Sequence, residues 1–366
     1  MGYVAVRGGE DAIAEAIRTL DLMRQGRCEP AADPGAPLGI DAIRHQLRLL
    51  VDRVMGEGGL YDPRLAALAI KQAQGDPLEA AFILRAHRSN LPRLGASAAH
   101  DGGRMRLIRR ISSAFKEIPG GQRLGPSTDY LQRLFRLDLI DEDPAAFRAA
   151  AAALPGAAAE AADFPKVVDG LRAEGLLAGH GEAQPAVDIT RSPLSFPIPR
   201  PARLAHLARG ESGGVLAMAY TTMRGYGYLH PTVAELRVGW LPVMLPHPLT
   251  GEAVEAGEVL MTECEIVATH GGAPGEGPPR ILLGYGACLG HNETKAIAIA
   301  MCDRAMLSGD ERGARHPAED PEFVICHVDG IEAMGFCSHY KLPHYVTFQS
   351  DLENIRASAA KLRSQA

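Results

Sequence analysis

The sequence contains no C-x-x-C pair, no basic excess, no long apolar run and no internal repeat. Its six cysteines, Cys28, Cys264, Cys288, Cys302, Cys326 and Cys337, are scattered. Such usage fits a reducing compartment better than a disulfide scaffold, and no charged-then-apolar leader precedes the first of them, so a cytoplasmic location is expected. A formal charge of -6 argues against a general nucleic-acid or acidic-membrane binder, so any anion binding must be local. No stretch reaches the roughly 18 consecutive apolar residues that suggest a membrane span. No Gly-Lys-Ser/Thr follows a glycine-rich turn and no H-E-x-x-H helix is present. Those two absences remove the Walker A and zincin readings.

What is present is 366 residues, 46% hydrophobic and 22% charged, enough for two domains or one large one. The start, "YVAVRGGEDAIAEAIRTLDLMRQGR", predicts a short strand, a Gly-Gly turn and a helix. Further helical periods follow in "GIDAIRHQLRLLVDRVMGEG" and "DPRLAALAIKQAQGDPLEAAFILRAHRSN", and the Ala-rich stretch 141–182 suits short helices broken at its prolines. Beyond a Pro-rich crossing segment that ends near residue 201, the texture becomes β-prone: "VLAMAYTTMRGYG", "AELRVGWLPVML", "EVLMTECEIVAT" and "RILLGYG", with "HGGAPGEGPP" as a hairpin tip. The expected fold class is α+β. It divides into a mostly helical region 1–182, an α+β domain 183–310 containing an antiparallel sheet, and a C-terminal loop and helix segment 311–366.

Four constellations can carry chemistry. In "RILLGYGACLGHNETKAIAIAMCDRAM" a strand runs into a turn at Gly284, Gly286 and Gly290 and then into a helix with Asn292 as its expected cap. Backbone N–H groups and a helix N-terminus facing one point suit phosphate, although glycines also tighten such a turn without any ligand. His291 and Glu293 at the turn favour the functional reading. In "GGRMRLIRRISSAFKEIPGGQRLGPSTDY", Arg104, Arg106, Arg109, Arg110, Lys116 and Arg123 gather beside the Gly120-Gly121-Gln122 turn, with Asp129 as the nearest carboxylate. Guanidinium forks match phosphate, whereas on a helix Arg106, Arg109 and Arg110 would share a solvated basic face. In "TTMRGYGYLHPTVAELRVG", His230 and Glu235 form a candidate acid-base pair, a pattern that chance also produces.

Last, His339 and His344 stand five positions apart in "SHYKLPHYVTFQSDLE". On a helix that separation rotates one ring about 140° from the other, and on a strand it sends them to opposite faces. Only a tight loop lets them converge, and two histidines do not fill a zinc shell. Cys337, His327, Glu332, water or another chain would have to complete it.

Taken together, "YVAVRGGEDAI", "RRISSAFKEIPGGQRLGPSTDY", "GYGACLGHNETKAIAIAMCDRA" and "GFCSHYKLPHYVTFQSDLE" resemble the PhnI subunit family of the bacterial carbon-phosphorus lyase system, in order and over nearly the whole chain. The resemblance implies a role in phosphonate use: displacement of adenine from ribose C1 of ATP by methylphosphonate, and nucleosidase action on ATP or GTP when the subunit is alone. It implies partners of the PhnG, PhnH, PhnJ and PhnL types, two copies per complex, and zinc at His339 and His344. From residue chemistry, Glu235, Asp129 and Glu293 are candidates for the carboxylate that supports an oxocarbenium ion, and His230 or His291 for the acid that assists the purine. The 284–293 turn and Arg104 to Arg123 are candidates for a triphosphate cradle, with magnesium as companion. A rival reading makes the chain mainly a scaffold with an interface zinc site and catalysis in its partners.

Overall fold

The computed structural model describes residues 9–24, 37–131, 133–153, 164–177, 184–224, 231–269 and 280–365. The expected N-terminal strand, His230 with the Gly-Tyr run before it, and the 270–279 hairpin tip lie outside them.

Helix α1 spans Gly9–Arg24, and α2 (Ile40–Gln46), α3 (Arg48–Gly58), α4 (Pro63–Gln72) and α5 (Pro77–Ser89) form a compact helical layer. Its punctuation is local chemistry. The Asp62 carboxylate accepts from Arg64 N and Leu65 N, both at 2.9 Å, and Asp76 does the same for Leu78 N and Glu79 N, each ahead of a helix that opens on proline. Ile43, Val51, Val54, Met55, Ala66, Ile70 and Leu84 close the layer's own core.

The sheet contains β1 (Arg106–Ile111), β2 (Thr232–Pro246), β3 (Ala253–Thr269) and β4 (Ile281–Leu289), in that order and antiparallel throughout. The arginine-rich stretch is therefore a strand, not the helix considered from its spacing. Adjacent strand residues face opposite sides, so Arg109 and Arg110 reach different carboxylates: Asp129 and Glu293 for the first, Glu235 for the second. Because β1 comes from the expected first region, a boundary at 182 does not enclose the sheet.

The chain between the strands carries α6 (Pro144–Ala153), α7 (Val167–Ala173), α8 (Arg200–Arg209) and α9 (Ser212–Thr221). The last corrects the expected β-run "VLAMAYTTMRGYG". Glu211 caps it by accepting from Gly213 N and Gly214 N at 2.6 and 2.7 Å, and Val215 and Ala219, one turn apart, are buried in the main core. Packing at helical spacing overrides the strand preference of the individual residues.

After β4 come α10 (Glu293–Arg312), α11 (Pro321–His327), α12 (Gly330–His339) and α13 (Tyr345–Gln365). Leu236, Cys264, Ile266 and Cys288 on one sheet face pack against Ala296, Ile299 and Ala300 of α10, and Val324, Ile325 and Val328 join the same core. Gly284 and Gly286 lie inside β4, not in the turn. A Cβ at either would collide with the carbonyl oxygen of Ala300 or Ala296. Their role is to let the helix lie directly on the strand, which corrects their expected place in a phosphate loop.

The other face carries buried charge. Glu235 pairs with Arg110 and lies 2.8 Å from Arg237 Nε, and it accepts the Val167 N–H at 3.0 Å. Lys166 Nζ reaches Glu263 at 2.7 Å and Glu265 at 3.3 Å, while the Tyr285 hydroxyl donates to Glu263 at 2.9 Å. Arg110 and Arg237 also donate to the carbonyls of Pro165 and Phe164, so the network pins the segment leading into α7. Among the described residues no helix is long and apolar enough to cross a membrane.

Two outcomes are expected. Gly286→Ala forces helix and strand apart and lowers stability by about 1–3 kcal/mol through overpacking. Gly170→Ala, in α7 with nothing within 4 Å, is neutral or stabilising by up to about 1 kcal/mol; equal thermal midpoints for the two variants would contradict the packing argument. The second concerns Glu265, whose carboxyl burial pushes from the ordinary 4.5 up to about 7, against the opposing pull of Lys166. A folded value above the unfolded one gives a contribution fully present at low pH and lost as pH rises through 7. Denaturant titrations should therefore show Glu265→Gln less sensitive to pH than the parent between about 4.5 and 7.

Candidate functional site

The chain leaves β4 at Leu289 and turns through Gly290, whose φ of +77° belongs to the left-handed region. Its neighbours on both sides fix this turn. His291 N donates to Asp52 of α3 at 3.0 Å, Asn292 N donates to Thr262 Oγ1 of β3 at 3.0 Å, and the Thr262 hydroxyl donates to Gly290 O at 2.6 Å. Burial raises the Asp52 carboxyl above its ordinary value despite the His291 N–H and the nearby Arg48. Asn292 occupies the N-cap position, but its side chain makes no cap bond; its amide donates back to Leu289 O at 2.6 Å. The first turn of α10 is left without a side-chain cap.

Beside this turn His291 Nε2 lies 2.8 Å from Glu293 Oε1, and Arg109 Nε lies 2.8 Å from the same oxygen. Arg109, 1% exposed, also donates to Asp129 and to Leu124 O. One buried guanidinium from β1 thus gathers the two carboxylates. The Ser127 hydroxyl and then the Arg109 charge hold Asp129 below the usual carboxylate range, so it stays ionised at neutral pH.

Asp129, His291 and Glu293 line a cavity of about 520 Å³, within the range of ligand pockets. The wall also includes Arg48, Arg53, Arg133, Ser212 and Lys295. None of these five was singled out from the sequence. Nothing in the sequence around Arg48 and Arg53 marks them; Lys295 alone leaves a trace, as a cation in the otherwise apolar run "TKAIAIA".

The other expected residues are placed elsewhere. Glu235 is enclosed by two guanidiniums and a backbone N–H and does not line the cavity. Arg104 is on the surface, and Arg106 pairs with Glu258 and lies over the Trp240 ring. Arg110 is spent on Glu235 and on the carbonyls of Pro119 and Gly121, so the Gly120-Gly121 turn presents carbonyl oxygens to an arginine. Gln122 braces that turn through Phe115 O, Lys116 O and Ser112 N.

His339 ends α12 and His344 precedes α13, and the loop between them brings the ring centroids to 5.1 Å. Each Nδ1 lies against a backbone carbonyl, Phe336 O at 2.5 Å and Leu342 O at 2.6 Å. A carbonyl only accepts, so Nδ1 carries the proton and Nε2 keeps its lone pair, the tautomer a metal ligand needs. Among the described residues no third His, Cys, Asp or Glu joins them in a metal-holding group. His327 instead stacks on Phe323 and bonds its carbonyl.

Residues 2–362 match the family described as bacterial phosphonate metabolism protein (PhnI). HtxH of Stutzerimonas stutzeri, whose name places it among C-P lyase subunits, is 60% identical, covering 100% of this chain and 98% of its own. The subunits named alpha-D-ribose 1-methylphosphonate 5-triphosphate synthase subunit PhnI are 45% identical in Rhizobium meliloti (strain 1021) and 46% in Escherichia coli (strain K12). Those alignments cover 97% of this chain and 94% and 97% of the relatives. With both motifs that carry the site inside the matched span, the chain belongs to the PhnI family of bacterial phosphonate metabolism proteins.

Proposed function

We propose that this chain breaks the N-glycosidic bond of a purine nucleoside triphosphate in the cavity at the head of α10, with methylphosphonate as acceptor when companion subunits are present and water when they are absent. The observation that carries the reading is the convergence there of an ionised carboxylate, Asp129, with the His291–Glu293 pair. As the C1–N bond lengthens, positive charge builds on the sugar, and Asp129 stabilises it electrostatically. Glu293 engages His291 Nε2 and orients the ring, leaving Nδ1 to deliver a proton to the departing purine. A phosphonate oxygen, or water that releases its proton to solvent, forms the new bond to C1 and the purine leaves with the electron pair of the old one. Magnesium accompanies the triphosphate. Companions of the PhnG, PhnH, PhnJ and PhnL types, in a complex with two copies of this chain in the cytoplasm, complete the proposal.

A second reading, a scaffold with zinc at a subunit boundary, is favoured by one observation at the other end of the chain. Phe336, Tyr340, Phe348 and Val346 around the histidine pair are each at least 60% exposed, and α13 buries none of its residues. Such a surface suits a partner. Zinc there would be held by Nε2 of His339 and His344 and would supply a rigid anchor, its remaining positions filled from outside the described residues. The readings concern different parts of the molecule and are compatible.

Free purine measured by chromatography after incubation with ATP or GTP tests the first. Asp129→Asn and His291→Gln should each slow release by about 100-fold; no release by the parent above the uncatalysed rate, with any divalent metal, sinks it. Elemental analysis tests the second. The double variant His339→Ala with His344→Ala should purify without zinc, and an undiminished content refutes the ligand assignment.

A further inference from the structure

Lys295 is 4% exposed, yet its Nζ has no hydrogen-bond partner and makes no ion pair among the described residues. Burial without a partner is costly for an ammonium, and it pushes this amine below its ordinary value. The acids whose charge reaches it, Glu57 and Glu211, form no ion pair with it among the described residues, although Glu57 Oε2 is also buried without a hydrogen-bond partner. Glu57 Oε1 accepts from Arg53 Nε, Ser212 N and Ser212 Oγ, and Glu211 accepts from Arg53 Nη2, Gly213 N and Gly214 N. Lys295 lines the cavity, which makes a bound anion the partner it lacks.

Three independent features converge on the same wall. The 20-residue α10 begins there without a side-chain cap, so the N–H groups of its first turn carry the helix's positive end toward the cavity. Arg48 and Arg133 line it as well; their charges reach Asp52 and Asp129, but neither forms an ion pair with a carboxylate among the described residues. The carboxylates that would otherwise neutralise the wall, Asp129 and Glu293, are both held by Arg109. One ammonium without a hydrogen-bond partner, two guanidiniums outside any close ion pair among the described residues and an uncapped helix start make a site for a ligand with several negative charges in a row.

We propose that this wall seats the polyphosphate chain of the substrate, with the α10 first-turn N–H groups and Lys295 on the inner phosphate oxygens and Arg48 and Arg133 on the outer ones. The seat takes a linear polyphosphate of magnesium-nucleotide type; a nucleoside or a single phosphate leaves most of it unused. The assignment rests on the reading of the cavity as the nucleotide site, and it explains how that site distinguishes a triphosphate from a nucleoside. The residues of the seat come from α3, α10 and the segment after Asp129, not from the Arg104 to Arg123 stretch.

Calorimetric titration of inorganic tripolyphosphate with magnesium into the intact chain tests the seat without reference to turnover. Lys295→Met, and separately Arg48→Ala with Arg133→Ala, should each weaken binding tenfold or more, while Arg64→Ala on the surface of α4 should match the parent. Replacing a buried lysine by methionine removes the burial cost, so thermal unfolding of Lys295→Met at or above the parent midpoint shows that the loss is not one of folding. Parent protein that does not bind tripolyphosphate, or variants that bind it as the parent does, overturn the seat. Binding lost in the variants upholds it even if the parent releases no purine, an outcome that would count only against the glycosyl-transfer reading. Purine release from nucleoside and nucleoside triphosphate with equal kcat/KM by the parent would overturn the seat and leave that reaction standing.

Discussion

The close approach of α10 to β4 is the constraint on which the rest depends. With hydrogen in place of a side chain at Gly284 and Gly286, carbonyl oxygens of Ala296 and Ala300 settle almost onto the strand. A helix packed that closely cannot rotate about its axis without steric conflict. Its first residues are therefore delivered to one position, beyond the end of β4, where Asp52 and Thr262 tether the turn from α3 and β3. Glu293, Thr294 and Lys295 of that helix end line the cavity, and no side chain caps them.

The sheet under this arrangement separates two kinds of chemistry. One face is an apolar seam with α10, and the other is a buried array of Glu235, Glu263 and Glu265 facing Arg110, Arg237 and Lys166. Buried charges contribute little net stability when paired and cost several kcal/mol when one partner is removed. Such an array specifies the docking of the α7 segment more than it strengthens the fold. Adjacent arginines on β1 take part on opposite sides: Arg110 belongs to the structural array and Arg109 to the cavity. Arg109 acts there by organising Asp129 and Glu293, which fixes the distance between the carboxylates.

The histidine pair follows a different logic. Its rings meet through a short loop, their Nδ1 protons are committed to backbone carbonyls, and the surrounding aromatic side chains face outward. Among the described residues the pair offers two nitrogen donors on an exposed, largely apolar surface, whereas the groups that line the cavity all come from this chain.

Local signals were legible where they depend only on neighbours in sequence. Asp-Pro pairs announced α4 and α5, strand-length β-prone runs announced β2, β3 and β4, and the glycine turn with His291 and Glu293 pointed to the head of α10. Asp129 was visible as the nearest carboxylate to the arginines. Misreadings arose where two elements compete for one residue. Arg106 to Arg110 have a spacing compatible with a helix, and only pairing with β2 makes them a strand; Glu235 has the chemistry of a catalytic acid, and only Arg110 and Arg237 make it structural. Gly284 and Gly286 look like a phosphate loop until α10 is laid on them. By itself the sequence determined the α+β class, the family and the starts of α4 and α5, because caps, prolines and alternation act over a few residues. The tertiary structure alone decided which charges face the cavity, because that depends on contacts between residues such as Asp52 and His291, 239 positions apart.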